Sequence, residues 1–297
     1  MDKRLLFIIN LHSGTGKAAK VLGELVRYYT ENGWEVTVHP TLSRGDATET
    51  VVRMGSRFDM VVCSGGDGTL SETVAGLLQL EQPPVLGFIP AGSANDNAAN
   101  LHLPADPMEA AKVTLEGEPV PYDVGEFCGK SFIYIAAFGA FSDVSYATPQ
   151  NLKNALGHAA YMLEGVRSLP RIHPCRMTIE TDEETYEGEF LFGGIMNTLS
   201  VGGGVMKFDP ERVKLNDGYF EVLLLRQASA IALPKMVQSV INRKYDAEGV
   251  IYARTRTLKC TSDVPVPWTI DGENGGEHTQ VEAHCIHRPI TIMAGRL

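Results

Sequence analysis

A single carboxylate stands inside a glycine-rich turn, in the stretch CSGGDGTLSET from Cys63 to Thr73. The apolar run before it, Phe58 to Val62, predicts a buried strand, and the residues from Thr69 onward predict a helix. Such a turn presents backbone N–H groups and the positive end of a helix to an anion, usually a phosphate. Asp67 would repel a bare phosphate, so it indicates a divalent cation or a hydroxyl whose proton must be managed. The alternative is a tight turn in which Asp67 caps the helix.

Two further loops of this kind also follow predicted strands: NLHSGTGK, Asn10 to Lys17, and IPAGSANDNAAN, Ile89 to Asn100. The first is not a Walker A motif, because Leu11 stands where GxxxxGK requires a glycine. Ligands of parallel α/β sheets bind at the carboxyl ends of the strands. Three loops at one such edge therefore predict a nucleotide site, to which the third loop adds side chains that can bond ribose or phosphate: Ser93, Asn95 and Asp96.

The elements that would position these loops alternate between strand and helix. Over residues 1–120 the predicted strands are Leu5 to Ile9, Trp34 to Val38, Phe58 to Val62 and Val85 to Ile89, with amphipathic helical patterns between them. Strands alternating with helices imply right-handed crossovers. We therefore predict an α/β domain whose parallel sheet is covered by helices on both faces.

Residues 121–297 have a different character, with strands and hairpins outnumbering helices. The predicted strands are Ser131 to Ala137, Met177 to Glu180, Glu187 to Ile195, Tyr219 to Leu225, Leu258 to Cys260, Trp268 to Ile270 and Val281 to Ile286. The best helical patterns are Leu156 to Leu169 and Leu233 to Ile241. This half is predicted to be a mostly antiparallel β-sandwich, with the extreme C-terminus returning to the first domain.

Composition excludes several classes of protein. The 297-residue chain is 44% hydrophobic and 21% charged, as is usual for a globular protein, and its net charge of -10 argues against a generic nucleic-acid binder. Five scattered cysteines without a CxxC pattern fit reduced thiols in the cytosol. No stretch approaches the ~18 apolar residues of a membrane span. We expect a cytoplasmic protein that contacts a membrane, if at all, peripherally at its inner surface.

Taken together, the motifs resemble those of the diacylglycerol kinase catalytic family, specifically its bacterial soluble lipid kinases, which are related to sphingosine and ceramide kinases and more distantly to NAD kinases. The order and spacing agree over essentially the whole chain. The resemblance implies an N-terminal α/β domain of the NAD kinase kind, a C-terminal β-sandwich and an active site in the cleft between them. The motifs that carry it are GGDGT at Gly65 to Thr69, PAGSANDNA at Pro90 to Ala98, KLNDGYFEV at Lys214 to Val222 and IDGENGG at Ile270 to Gly276.

The resemblance also implies the nucleotide contacts. With the loop residues above added, the predicted ATP site comprises Asn10, Ser13, Gly14, Thr41, Gly65, Gly66, Asp67, Gly68, Thr69, Glu72, Ser93, Asn95 and Asp96. Two positions depart from the family pattern. Leu11 replaces a proline that is common in the first loop, and Asn97 stands where an aromatic residue is frequent.

The metal and the proton acceptor are likewise implied by the resemblance. Asp217, with main-chain atoms of Lys214 and Tyr219, would hold a structural Mg²⁺, although NDG by itself is also typical of a hairpin turn. Asp271 is the preferred general base, with Glu273 kept beside it, and Asp67 would position the Mg²⁺ bound to ATP. A solvated hairpin is the alternative for the Asp271 segment.

These residues predict an ATP- and Mg²⁺-dependent lipid kinase that phosphorylates the hydroxyl of diacylglycerol or a related lipid, giving phosphatidic acid or its equivalent. Its partners would be ATP and a lipid at the membrane surface, with no nucleic acid, and a homodimer is left open. Two alternatives stay open: an NAD kinase, and a catalytically silent nucleotide-binding regulator.

Overall fold

The structure is a computed structural model that describes residues 3–14, 16–92, 95–139, 173–201, 206–229 and 231–296. The chain forms two compact units. Unit 1 comprises Met1–Tyr122 and Arg288–Leu297, and unit 2 comprises Asp123–His287. The helix predicted over Leu156 to Leu169 and the candidate contact Ser93 lie outside the described residues.

Unit 1 alternates strands and helices through most of its length. Its strands are β1 (Lys3–Ile9), β2 (Trp34–Pro40), β3 (Met60–Gly65) and β4 (Val85–Pro90). Its helices are α1 (Lys17–Lys20), α2 (Leu22–Glu31), α3 (Asp46–Met54), α4 (Asp67–Leu77), α5 (Asp96–Asn100) and α6 (Pro107–Glu116), with a 3₁₀ turn at Gly55–Arg57.

The sheet of unit 1 places β1 between β2 and β3, with β4 beyond β3, and these pairs are parallel. The last residues of β15 (Glu273–Ala294) add a further parallel neighbour, since Ile292 pairs with Leu86 of β4. Leu5 to Ile9 of β1 are completely buried, as expected for a strand covered on both faces. Because the strands run in the same direction, the loops that follow β1, β3 and β4 leave from one edge.

Helices α2 and α6 are joined through one tyrosine on this sheet. The Tyr29 ring meets Phe7 of β1 edge to face at 6.0 Å between centroids. Its hydroxyl lies 2.9 Å from Oγ1 of Thr114 on α6, which is also buried. The aromatic ring therefore fills the core while its polar end is satisfied.

Unit 2 is built mainly of strands. They are the later part of β5 (Glu118–Phe127), β6 (Lys130–Phe132), β7 (Ile135–Gly139), β8 (Cys175–Glu180), β9 (Thr185–Met196), β10 (Ser200–Val201), β11 (Met206–Lys207), β12 (Phe220–Arg226), β13 (Val250–Thr255), β14 (Thr257–Ile270) and the earlier part of β15. One described helix, α7 (Leu233–Ile241), confirms the helix predicted over those residues.

The strands of unit 2 pair antiparallel in the order β13-β12-β9-β7-β14-β15. The long strands β9 and β14 change neighbours along their length, since one part of each pairs with β7 and another part pairs with β8. Such a change lets two layers share strands around one core. Trp268 lies in that core, with its ring 4.8 Å from Phe127 and 4.9 Å from Phe138.

Two predicted strand boundaries are wrong. The segments Leu258 to Cys260 and Trp268 to Ile270 belong to the single strand β14, whose pairing register shifts between Thr261 and Val266. Pro265 and Pro267 obscure the alternation in between, and a bulge is where a strand tolerates proline. Conversely, the predicted strand Ser131 to Ala137 is divided into β6 and β7.

Candidate functional site

The loops that follow β1, β3 and β4 lie side by side in unit 1. The backbone N–H of Asn10 donates to the carbonyl oxygen of Ser64 at 2.8 Å, and the N–H of Ala91 donates to the carbonyl oxygen of Gly65 at 2.7 Å. These bonds continue the parallel pairing past the ends of the strands. The three predicted nucleotide loops therefore start from adjacent positions.

Glycines let these loops touch through their backbones. Gly14 has a φ of +54°, and a Cβ on it would lie 2.1 Å from the carbonyl oxygen of Ala91. A Cβ on Gly92 would lie 2.7 Å from the Cα of Gly66. Neither space admits a side chain, so the loops form one continuous surface of backbone groups. Such a surface can approach phosphate oxygens closely.

Helix α4 begins at this surface without a side-chain cap. Gly66 is its N-cap residue and Asp67 its first helical residue, so the alternative in which Asp67 caps the helix is wrong. Asn10 connects the first loop to this helix, since its Nδ2 donates to Oγ1 of Thr69 at 3.4 Å. An uncapped helix start has N–H groups and positive potential available to an anion.

Asn97 holds the carboxylate of Asp67 in position. Oδ1 of Asp67 accepts hydrogen bonds from the backbone N–H of Asn97 at 3.3 Å and from its side-chain Nδ2 at 3.0 Å. Asn97 is buried in α5. Both bonds go to Oδ1, so Oδ2 is the oxygen that can contact a bound cation. In the sequence, Asn97 was notable only because the family often has an aromatic residue at this position. The structure shows that the Asn97 amide bonds to Asp67, a contact that an aromatic ring cannot make.

The side chain of Asn95 is used within its own loop. Its Oδ1 accepts the N–H of Gly92 at 2.9 Å, and its Nδ2 donates to the carbonyl oxygen of the same residue at 2.8 Å. Asn95 itself has a φ of +54°, which asparagine tolerates better than most residues. Asp96 beside it is buried. Asn95 therefore shapes the turn that carries Gly92 toward Gly66.

Two carboxylates fix the loop after β2. The N–H of Thr41 donates to the carbonyl oxygen of Ile9 at 2.9 Å, which places Thr41 at the end of β1. Oε1 of Glu72 accepts the N–H of Gly45 at 2.8 Å, and Oδ2 of Asp46 accepts the N–H of Leu42 at 2.7 Å. The Glu72 side chain thus holds the loop by accepting a hydrogen bond from the loop backbone.

His39 and Asp46 are site-supporting residues that the sequence analysis did not identify. Nε2 of His39 lies 3.2 Å from both carboxylate oxygens of Asp46 and 3.0 Å from Oγ1 of Thr50. The N–H of Leu42 holds the pKa of Asp46 below its usual value, against the effect of burial, and the His39 ring adds to the lowering. In the sequence, this contact could be suspected only because His39 and Asp46 stand seven residues apart on either side of a predicted strand end.

In unit 2, Asp271 forms the tip of the hairpin between β14 and β15. Asp271 and Gly272 have φ values of +50° and +81°, as in a two-residue hairpin turn. Oδ2 of Asp271 accepts the N–H of Ile133 at 3.0 Å, and Oδ1 accepts those of Tyr134 at 3.0 Å and Ile135 at 3.1 Å. Both oxygens of Asp271 are therefore engaged by backbone donors. Glu273 pairs across the hairpin with Ile270 and is exposed.

The turn before β12 holds Asp217 in an ion pair. Oδ1 of Asp217 accepts the N–H of Tyr219 at 3.1 Å, and its Oδ2 contacts Nη2 of Arg254. The Nζ of Lys214 donates to the carbonyl oxygen of Pro210 at 3.0 Å. Nowhere in the described part of the chain do three or more His, Cys, Asp or Glu residues form a group that could hold a metal ion. This arrangement does not fit Mg²⁺ bound through the Asp217 carboxylate, because a guanidinium already contacts it.

The predicted site residues therefore fall into two groups. Unit 1 brings together Asn10, Ser13, Gly14, Thr41, Gly65, Gly66, Asp67, Gly68, Thr69, Glu72, Asn95 and Asp96, on loops at one sheet edge and on the helices that start there. Unit 2 carries Asp271 and Glu273 on one hairpin, and Lys214, Asp217 and Tyr219 on another turn. Within the described residues, no helix is both long and apolar enough to span a membrane.

Comparison with known proteins identifies both halves of the chain. Residues 4–127 match the diacylglycerol kinase catalytic domain, and residues 137–294 match the YegS C-terminal NAD kinase beta sandwich-like domain. A diacylglycerol kinase of Bacillus subtilis (strain 168) is 34% identical over 92% of this chain and 91% of its own length. One from Staphylococcus epidermidis (strain ATCC 35984) is 34% identical over 93% of this chain and 88% of its own.

Solved structures show the same fold. One protein from Bacillus anthracis str. Sterne has a TM-score of 0.84 to this chain, at 24% identity, over 99% of this chain and 95% of that chain. A diacylglycerol kinase from the same strain has a TM-score of 0.75 at 21% identity, over 99% and 97% of the two chains.

The fold, the glycine-rich loops and these relatives define a phosphotransferase with an alcohol group as acceptor, an ATP-dependent lipid kinase. The chain belongs to the diacylglycerol kinase family.

The loop contacts lead to a prediction about Gly14. Gly14→Ala should raise the KM for ATP at least about tenfold, because the new Cβ would push the first loop away from Ala91. Gly16→Ala is the matched control, since Gly16 also has a positive φ, +68°, but has no atom within 4 Å of the added Cβ. Both variants bear similar backbone strain. Equal KM values for ATP in steady-state assays of the two variants would contradict the role of loop contact.

A second prediction concerns Asn97. Asn97→Leu removes the amide bond to Asp67 and should lower kcat by roughly tenfold, in the range seen when groups that orient a site residue are lost. Steady-state kinetics and thermal unfolding of the same preparation test this. A lower Tm with unchanged kcat would indicate a packing role only.

Proposed function

We propose that this enzyme transfers the γ-phosphoryl group of ATP to the free hydroxyl of a diacylglycerol and produces phosphatidic acid. The observation that carries the proposal is the meeting of three glycine-bearing loops at the uncapped start of α4, with Asp67 fixed beside them by Asn97. The relatives from Bacillus subtilis and Staphylococcus epidermidis, both diacylglycerol kinases, support the choice of lipid. Because diacylglycerol resides in a bilayer, the enzyme would act at a membrane surface.

In this proposal unit 1 binds the nucleotide. Backbone N–H groups at the start of α4, Gly66 to Gly68, contact the phosphates, and the helix start adds positive potential. Mg²⁺ arriving with ATP would neutralise charge on the phosphates, and Oδ2 of Asp67 is the oxygen that would face it. Catalysis then rests on positioning and on charge neutralisation rather than on covalent chemistry with the protein.

Of the two acidic residues on the hairpin between β14 and β15, Glu273 suits the role of proton acceptor better than Asp271. Asp271 uses both oxygens to accept three backbone N–H groups, so its carboxylate is already engaged in holding the chain. Glu273 is exposed on the same hairpin. Asp271 would then be a positioning residue that holds the hairpin carrying Glu273.

In the proposed step the lipid hydroxyl is the nucleophile and ADP is the leaving group. The lipid hydroxyl gives its proton to the Glu273 carboxylate while its oxygen forms a bond to the γ-phosphorus of ATP. The bond between the γ-phosphorus and the oxygen that bridges to the β-phosphorus breaks, and ADP leaves with that oxygen.

The proposed activity is tested with ATP labelled in the γ-phosphate and with dioleoylglycerol, sphingosine or NAD as acceptor. We expect label in the organic phase with dioleoylglycerol, and a loss of at least about a hundredfold in turnover for Asp67→Asn with unchanged circular dichroism. Transfer of label to NAD, or binding of ATP without transfer to any acceptor, would overturn the proposal. Faster transfer to sphingosine would reassign the lipid.

The two acidic residues of the hairpin can be separated by stability. Glu273→Gln should lower kcat by roughly 10²- to 10⁴-fold, because the proton acceptor is removed, and should lower the Tm less than Asp271→Asn does. Asp271→Asn should also lower the Tm, because an amide NH₂ placed against a backbone N–H leaves that donor unpaired, at a cost of about 1–3 kcal/mol. An active Glu273→Gln enzyme together with an inactive, fully stable Asp271→Asn enzyme would reverse the two roles.

A further inference from the structure

Three acidic side chains gather around the turn before β12 in unit 2. Asp123 and Glu221 are completely buried, and Asp217 is partly exposed. Oδ2 of Asp123 accepts the N–H of Gly218 at 2.6 Å, so Asp123 and Asp217 act on the same turn. Carboxylates beside one turn, two of them buried, require nearby positive charge, because burial and like charges both disfavour the ionised form.

Arg254 lies where it can compensate two of them. It stands on β13 directly opposite Glu221 of β12 in the antiparallel pairing. Its Nη2 pairs with Oδ2 of Asp217, and its Nε lies 3.5 Å from Oε1 of Glu221. Neither oxygen of Glu221 has a hydrogen-bond partner among the residues that the structure describes. The guanidinium is therefore the charge that Glu221 faces.

Aromatic packing and a histidine complete the cluster. The Arg254 guanidinium carbon lies 4.9 Å from the centre of the Tyr219 ring, a geometry in which the cation is attracted to the ring face. On the other side of the turn, Nδ1 of His287 lies 2.9 Å from Oδ1 of Asp123. Arg254 therefore faces Asp217 and Glu221, and His287 contacts Asp123.

The chemistry of the two cations decides what this turn can hold. Mg²⁺ takes oxygen ligands in near-octahedral geometry at about 2.1 Å and gives up its bound waters reluctantly. A guanidinium is planar, always charged and suited to carboxylates, and it repels a divalent cation at the same oxygen. The carboxylate of Asp217 can therefore bind either the Arg254 guanidinium or Mg²⁺, but not both at once.

We propose that Arg254 supplies, from within the protein, the positive charge that holds the turn at Asp217, so that unit 2 needs no structural Mg²⁺ there. Arg254 is then a positioning residue of the fold, and the divalent cation used by the enzyme is the one that accompanies ATP.

Thermal unfolding of the full chain without nucleotide tests this, in EDTA and in millimolar Mg²⁺. The wild-type Tm should change by less than about 1 °C between the two buffers, and Arg254→Met should lower the Tm by about 5 °C or more, since a buried carboxylate loses its partner. Arg256→Met is the matched control. Arg256 also lies over Tyr219, at 4.7 Å, but donates to its hydroxyl, so its loss should leave the Tm within about 1 °C of wild type.

Two results would overturn the proposal. One is a wild-type Tm that rises by several degrees with Mg²⁺, with the rise abolished in Asp217→Asn. The other is an Arg254→Met protein as stable as Arg256→Met. If Arg254→Met does not fold, the Mg²⁺ response of wild type and Asp217→Asn decides alone. No turnover is measured, so the result is independent of the lipid substrate.

Discussion

Close approach of backbone to backbone is the constraint on which the nucleotide site depends. The loops after β1, β3 and β4 meet where Gly14 faces Ala91 and Gly92 faces Gly66, at separations that exclude a Cβ. Parallel strands bring the loops to one edge, but only the missing side chains let them form one surface of N–H groups. The uncapped start of α4 and the carboxylate of Asp67, which Asn97 fixes, both lie at that surface.

Carboxylates in this acidic chain serve as hydrogen-bond acceptors for loops as much as candidates for chemistry. Glu72, Asp46 and Asp271 each accept backbone N–H groups, and each fixes a segment next to a predicted site residue. A carboxylate used in this way has its oxygens occupied by N–H donors and is less available to a substrate. This distinction separates Asp271 from the exposed Glu273, although both lie on one hairpin.

In unit 2, a buried acidic residue requires a positively charged partner. Glu221 is completely buried, and burial raises its pKa, an effect that Arg254 opposes and Asp217 increases. The pairing of Arg254 with Glu221 across two strands is fixed by register, so a slip of one residue would leave a buried carboxylate without its cation. The antiparallel sheet thereby determines the local charge balance as well as the packing.

Local patterns in the sequence determined the alternation of strands and helices in residues 1–120, the helix Leu233 to Ile241 and the glycine-rich loops after three strands, because periodicity and turn chemistry act between near neighbours. They did not determine that Leu258 to Ile270 is one bulged strand, since Pro265 and Pro267 hide its alternation. Nor did they reveal the partners of Asp67, Asp217 and Asp271, which lie 30, 37 and up to 138 residues away. Only the tertiary structure decided those contacts, because a side chain and a distant N–H or guanidinium come together through the path of the whole chain.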